Sequence, residues 1–181
     1  MTQTIAYLGP GGTFCEEAAR QYRGDNDWPL LPLRSIREVF EAVAAEDVKR
    51  GIVPIENSYE GAVNQTLDLL TGDDDLKIAG EIVIPVRQNL LIHPRSSGGK
   101  IDCILSHAQA LAQCQEYLHH NYPGVPVREV HSTAEAARMV ATSGETWAAI
   151  ATLTAAETYG LTVLAADIQD QTNNSTRFVV L

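Results

Sequence analysis

Near the end of the chain, Asn174-Ser175-Thr176-Arg177-Phe178 sets a hydroxyl beside a fixed cation, at the edge of the apolar run Val179-Val180-Leu181. A threonine hydroxyl offers one donor and two acceptor lone pairs. An arginine guanidinium is permanently charged, and its rigid fork suits carboxylates. Such a pair could hold an anion and polarise an oxygen on it. A solvated pair at the start of an edge strand is the plainer alternative. A second polar cluster, Glu56-Asn57-Ser58, follows the very apolar run Gly51-Ile52-Val53-Pro54-Ile55. Open α/β sheets place ligand contacts where such strands end. Asn57 and Ser58 could equally do no more than start the next helix. Ser106-His107 suggests a nucleophile and a base, but the strained Gly-x-Ser-x-Gly elbow is missing. The five histidines and three cysteines show no zinc spacing. Gly9-Pro10-Gly11-Gly12 matches neither the dinucleotide fingerprint nor a phosphate loop. The expectation is chemistry on a small anion, with no metal and no cofactor.

The balance of charge constrains that expectation. The chain has 181 residues and a formal net charge of -10. No basic patch is visible, which argues against nucleic acid as a partner. An anion could bind only where donors are gathered locally against the overall field. No apolar run of about 18 residues occurs, so no membrane-spanning helix is expected. Met1-Thr2-Gln3-Thr4 lacks the basic start and apolar core of a signal peptide. Cys15, Cys103 and Cys114 are odd in number and unpatterned, as free thiols in a reducing cytoplasm would be.

The elements that must position these residues repeat a strand-cap-helix pattern. Ile5-Ala6-Tyr7-Leu8 reads as a buried strand, followed by a helix opened by Thr13 and Glu16 at capping-box spacing. A strand over Leu30–Leu33 leads to a second box, Ser35 and Glu38, and an amphipathic helix with Val39, Phe40 and Val43 inward. Gly51–Ile55 is a strand, 62–70 a helix, and Asp73-Asp74-Asp75 a solvated acidic turn. Residues 78–92 read as long strands interrupted by Pro85, carrying the chain between lobes, and Ser96-Ser97-Gly98-Gly99 as a plain loop. The pattern then returns: Cys103–Leu105 with a box at Ser106 and Gln109 and one helix to Tyr122, Val125–Val130 before Ser132 and Glu135, and Trp147–Ala151 before Thr154 and Glu157. Leu161–Ala165 and Thr176–Leu181 close the chain as strands. Ser35, its helix and Gly51-Ile52-Val53 match Ser132, its helix and Ala148-Ala149-Ile150. The simplest account is an α/β protein of two similar small lobes with a ligand cleft between them. Residues 1–77 form the first part of lobe 1, 78–160 form lobe 2, and 161–181 return to lobe 1. The helix starts at Thr13 and Ser106 are the best candidates to offer free N–H groups to an anion.

Gly9-Pro10-Gly11-Gly12-Thr13-Phe14, Val53-Pro54-Ile55-Glu56-Asn57-Ser58, Ser106-His107-Ala108-Gln109-Ala110-Leu111-Ala112-Gln113-Cys114 and Asn174-Ser175-Thr176-Arg177-Phe178 resemble the signatures of the prephenate dehydratases. Ala155–Leu161 and Ile168-Gln169-Asp170 are similar too. The resemblance covers nearly the whole chain. It implies lobes like those of the type II periplasmic binding proteins. It implies decarboxylative dehydration of prephenate to phenylpyruvate, in phenylalanine biosynthesis, by a cytoplasmic homodimer without cofactor. The catalytic threonine corresponds to Thr176, and Glu56 is the candidate acid if burial raises its pKa. Arg177 corresponds to the substrate-binding arginine. Asn57, Ser58, Thr13, Ser106, His107, Gln109, Gln113 and Phe178 would line the substrate site. Members of the family usually continue into a phenylalanine-binding ACT domain, and the resemblance here stops before it. Three other readings stay open: arogenate as the substrate, a non-catalytic binding module for an aromatic or keto acid, and hydrolysis of a small ester or lactone through Ser106-His107.

Overall fold

The structure, a computed structural model, describes residues 3–72, 76–96 and 99–181. The acidic turn at 73–75 and the Ser97-Gly98 part of the expected loop lie outside the described residues. The chain divides into two compact units, the first holding the chain up to Val86 together with Asn173–Leu181, the second Arg87–Thr172.

In the first unit β1 (Ile5–Leu8), β2 (Leu30–Leu33) and β3 (Arg50–Asn57) run parallel, joined by α1 (Phe14–Arg23) and α2 (Ile36–Ala44). The short β4 (Gly61–Ala62) pairs only with β3 and precedes α3 (Asn64–Gly72). The sheet is completed by β5 (Gly80–Pro85) and by β11 (Ser175–Val180), in the order β2-β1-β3-β11-β5. β11 is antiparallel to both neighbours, β3 and β5. Alternating residues send Ile52, Ile82, Ile84, Phe178 and Val180 into one core with Cys15, Ala18 and Ala19 of α1. Val53, Val179 and Leu181 go to the other, with Ile36, Val39 and Phe40 of α2. The glycine at 51 is required by this second packing. A Cβ there would lie 2.7 Å from Val39 Cγ1 and 2.8 Å from Val43 Cγ2, so α2 can sit this close only over a bare backbone.

The second unit repeats the plan. β6 (Asn89–Ile92), β7 (Cys103–Ser106), β8 (Val127–Glu129), β9 (Trp147–Ala151) and β10 (Thr162–Ala165) lie in the order β10-β6-β9-β7-β8. β7, β8 and β9 are parallel, and β6 runs against both of its neighbours. α4 (Ala108–Gln113), α5 (Gln115–Asn121) and the junction between them supply Ala110, Leu118 and Cys114 to a core with Leu90, Ile104 and Ile150. α6 (Thr133–Thr142) and α7 (Leu153–Tyr159) supply Ala136, Ala137, Val140, Ala155 and Ala156 to a core with Leu91, Leu105 and Ala149.

Local chemistry accounts for most helix ends. Thr13, Ser35 and Ser132 cap α1, α2 and α6 by accepting from the N–H three residues on, as expected. α1 adds Glu16 and Glu17 in its first turn and Arg20 and Arg23 in its last, which suits the helix dipole. α7 ends at Gly160, whose φ of 65° is left-handed.

Several expectations need correction. The strand at 162–165 does not return to the first sheet. It pairs antiparallel with β6 in the second, so the return begins only at Asn173. The 78–92 stretch carries the chain from the first sheet to the second, as expected, but in two short strands rather than long ones. Its first half, β5, belongs to the first sheet through β11, and its second half, β6, to the other. α7 is capped by Thr152, not Thr154, which is buried in the first turn. The helix expected from 106 to 122 breaks at Cys114, and Asp170 restarts it by accepting from the N–H groups of Glu116 and Tyr117.

Candidate functional site

In the first unit the polar residues meet where β3 and β11 lie side by side. Their register contains one irregularity. Phe178 pairs with Pro54, but Arg177 pairs with Glu56, so Ile55 is an extra residue on β3. A bulge of this kind re-aims the side chains beyond it. Ile52 belongs with the α1 core, while Val53 and Ile55 belong with the α2 core. Strict alternation would then put Asn57 on the α2 face. The bulge returns it to the α1 face, opposite Thr176, and leaves Glu56 beside Arg177. The bulge is held from α3 and the turn before it: Thr66 Oγ1 donates to the Pro54 carbonyl at 2.6 Å, and Val63 N to that of Ile55 at 2.8 Å.

Asn57 is fully committed. Its Oδ1 accepts from Tyr59 N (3.0 Å) and Glu60 N (3.2 Å). That fixes the amide orientation, so Nδ2 faces the other way. It donates to Thr176 Oγ1 at 2.9 Å, to Asn174 Oδ1 at 3.0 Å and to the Ser175 carbonyl at 3.2 Å. Ser58 Oγ accepts from Ser175 N at 2.9 Å and gives its proton to Asn174 Oδ1 at 3.0 Å. Tyr59 adds a hydrogen bond to Asn173.

The candidate hydroxyls therefore differ in one respect. Thr13 Oγ1 donates to the carbonyls of Pro10 (3.1 Å) and Leu8 (3.4 Å) while it caps α1. Ser58 donates to Asn174. Ser106 is wholly buried at the end of β7 and donates to the Ile150 carbonyl at 2.7 Å. Thr176 alone among these four accepts without donating to any described protein group, and it is half-buried rather than sealed. Its proton has no acceptor among the described residues.

Arg177 and Glu56 are not part of that arrangement. Successive strand residues face opposite sides, so Arg177 points away from Thr176. Its guanidinium bonds Glu56 Oε2 and Glu81 Oε2, each at 2.8 Å. The Glu81 carboxyl is held below its ordinary range by that hydrogen bond first and by the charge of Arg177 second, and the guanidinium is raised in turn. The fork expected to grip a substrate carboxylate is thus filled by two of the protein's own. Glu56 is 48% exposed at its side chain, so the burial that would make it an acid is missing. Phe178 is also corrected: it is 1% exposed and packs in the α1 core, with no surface to offer a substrate. At α1 the Gly12 N–H is taken at 2.6 Å by Glu16, whose other oxygen binds Arg20, so this helix start is partly spent on its own side chain.

In the second unit the expected cap at Ser106 moves by one residue. His107 Nδ1 accepts from Gln109 N at 3.4 Å at the start of α4. In the neutral ring this leaves the proton on Nε2. His107 also borders a surface hollow of about 460 Å³ with Arg128, Glu129, His131 and Glu135. Gln113 Oε1 accepts from Gln88 Nε2 at 3.1 Å, and Gln88 N donates to Gln169 Oε1 at 2.8 Å. Gln88 Oε1 and Gln169 Nε2 are buried without partners. Gln88 and Asn174 were missed as site residues. The signal for Gln88 was a polar Gln88-Asn89 pair opening an apolar strand; for Asn174 it was a position two residues before Thr176 on the same face. No cluster of three or more metal-binding side chains occurs among the described residues.

Two such sheets, each flanked by helices, define a mixed α/β protein. A sequence model of the family described as "Prephenate dehydratase" matches residues 5–181. The "Bifunctional chorismate mutase/prephenate dehydratase" of Aquifex aeolicus is 44% identical over 177 residues, which is 98% of this chain and 48% of that protein. Among solved structures, a prephenate dehydratase from Arthrobacter aurescens in complex with L-Phe is 34% identical, with a TM-score of 0.86 over 98% of this chain and 59% of that one. A protein described as one of "a novel type of quorum quenching acylases" is 31% identical, also with a TM-score of 0.86, over 98% of this chain and 63% of that one. The chain belongs to the prephenate dehydratase family. It spans about half the length of the bifunctional relative.

Proposed function

We propose that this chain converts prephenate to phenylpyruvate, carbon dioxide and water. The observation that carries the reading is the Thr176 hydroxyl, capped by Asn57 Nδ2 at 2.9 Å and left with a free proton. In this reaction the bond to the ring carboxylate breaks, its electron pair enters the ring, and the ring hydroxyl leaves as hydroxide, which takes a proton from solvent to become the product water. Aromatisation drives the step, and the barrier lies in the departing oxygen. Thr176 donates a hydrogen bond to that oxygen and stabilises the charge developing on it. Its acidity is too weak for full proton transfer, so polarisation is its role. Contacts that strengthen only as charge develops raise turnover rather than affinity. Thr176→Ala should therefore lower kcat by about 10²-fold or more while KM changes little. Phenylpyruvate absorbance in alkali measures this, and an unchanged kcat would overturn the assignment.

Arogenate differs from prephenate in carrying an amine in place of the keto group, and parallel assays of both substrates separate them. The acylase named among the structural neighbours would require a nucleophile. Ser106 is unsuited to that role, being buried and donating to Ile150. The proposal extends to a cytoplasmic homodimer. Three free cysteines support the compartment, and none of the described helices is long and apolar enough to cross a membrane. Sedimentation at working concentration tests the dimer.

A further inference from the structure

Asn174 is buried, 3% exposed, two residues before Thr176. Its Oδ1 accepts from both Asn57 Nδ2 and Ser58 Oγ, at 3.0 Å each. The direction of both bonds is fixed from outside. Asn57 must present Nδ2 because its oxygen is held by two backbone N–H groups. Ser58 must donate because the atom it meets, Asn174 Oδ1, is set as an acceptor by Asn57. Asn174 consequently cannot be turned over, and its Nδ2 is left buried without an acceptor. An orphaned buried donor is costly and calls for an explanation. A carboxylate here would strand no donor, but it would bury a negative charge with no cation to pair it among the described residues. The neutral amide at this position accepts twice and adds no negative charge beside Thr176.

We propose that Asn174 is a positioning residue for the Thr176 hydroxyl, acting through Asn57. Its oxygen anchors the Asn57 amide where Nδ2 also reaches Thr176 Oγ1. That occupies a lone pair of the threonine and turns its proton outward. An amide rather than a carboxylate is used because a dianionic substrate must approach the same spot. This rests on the reading of Thr176 as the group that assists the leaving hydroxyl.

A double-mutant cycle in the full chain tests it. Asn174→Ala should lower kcat on the order of 10²-fold, the scale of a misplaced catalytic group, with KM nearly unchanged. In a Thr176→Ala background the same change should cost almost nothing more. A structural role would cost as much in both backgrounds, and that outcome would overturn the proposal. Asn174→Asp keeps the acceptor and guards against a variant that fails to fold. It should restore most of kcat while raising KM through charge repulsion. If Asn174→Asp is as slow as Asn174→Ala at unchanged KM, the proposal fails. If Thr176→Ala itself is fully active, the reading of Thr176 fails first, and the two failures are told apart.

Discussion

At the scale of single residues, what matters is the direction of each proton, since the candidate hydroxyls all sit within folded hydrogen-bond networks. Thr13, Ser58 and Ser106 have spent theirs on protein acceptors, and Thr176 has not. Asn57→Asp reverses this without changing shape. One carboxylate oxygen would still accept from Tyr59 and Glu60, but the other could only accept from Thr176. The hydroxyl would turn inward, so kcat should fall on the order of 10²-fold, read by the phenylpyruvate assay. Arg177→Lys makes the opposite test. Because the fork holds Glu56 and Glu81 on the far face of β11, KM should stay where it is. A rise in KM on titrating substrate would return Arg177 to the binding site. The lowered Glu81 carboxyl also sets a sign. Its ion pair stabilises the fold above the ordinary carboxylate range and is lost as pH falls through the lowered value. Glu81→Gln should flatten the acid limb of urea-melt stability against pH.

At the scale of elements, the bulge at Ile55 decides which side chains meet. Thr66 is completely buried, and its hydroxyl clamps the bulge through the Pro54 carbonyl. Thr66→Val keeps the shape and removes that bond, leaving a buried carbonyl with less to satisfy it. A loss of roughly 1–3 kcal/mol in urea denaturation is expected, together with slower turnover at unchanged KM. The bulge also marks where the sequence stops being readable. Caps are written within four residues, so Thr13-Glu16, Ser35-Glu38 and Ser132-Glu135 could be recognised directly. The repeat of a serine cap, a helix and an apolar strand foretold two sheets, and each sets three parallel strands beside an antiparallel one. The cap of α5 by Asp170, 54 residues away, and the extra residue at Ile55 depend on partners far along the chain. Nothing local signals them. Adjacency in sequence suggests one shared task for Thr176 and Arg177, whereas a strand sends neighbours to opposite sides. The polar clusters themselves were legible from composition at strand ends.

For the molecule as a whole, a net charge of -10 leaves little general attraction for an anion, so a site for one would need donors gathered locally. The free cysteines give a second global prediction. Burial pushes the Cys15 thiol up to about 12, and Cys114 likewise, helped by Asp170. Both thiols are favoured in the neutral form when folded. Their contribution to stability is complete below the ordinary thiol range and is lost as pH rises toward the folded value. Melting temperature should therefore fall in strong alkali. Thiol reagents at neutral pH should reach Cys15 and Cys114 only on unfolding, as a reagent-release assay with and without urea would show.

The place of β11 has a consequence for how the protein comes into being. It fills the gap between β3 and β5, yet it is translated after every strand of the other sheet. As the nascent polypeptide emerges from the ribosome, the earlier half must wait with unpaired backbone along β3, while the later-made half already has all its strands. Maturation would thus run against the direction of synthesis, and the waiting edge is where a chaperone would be needed.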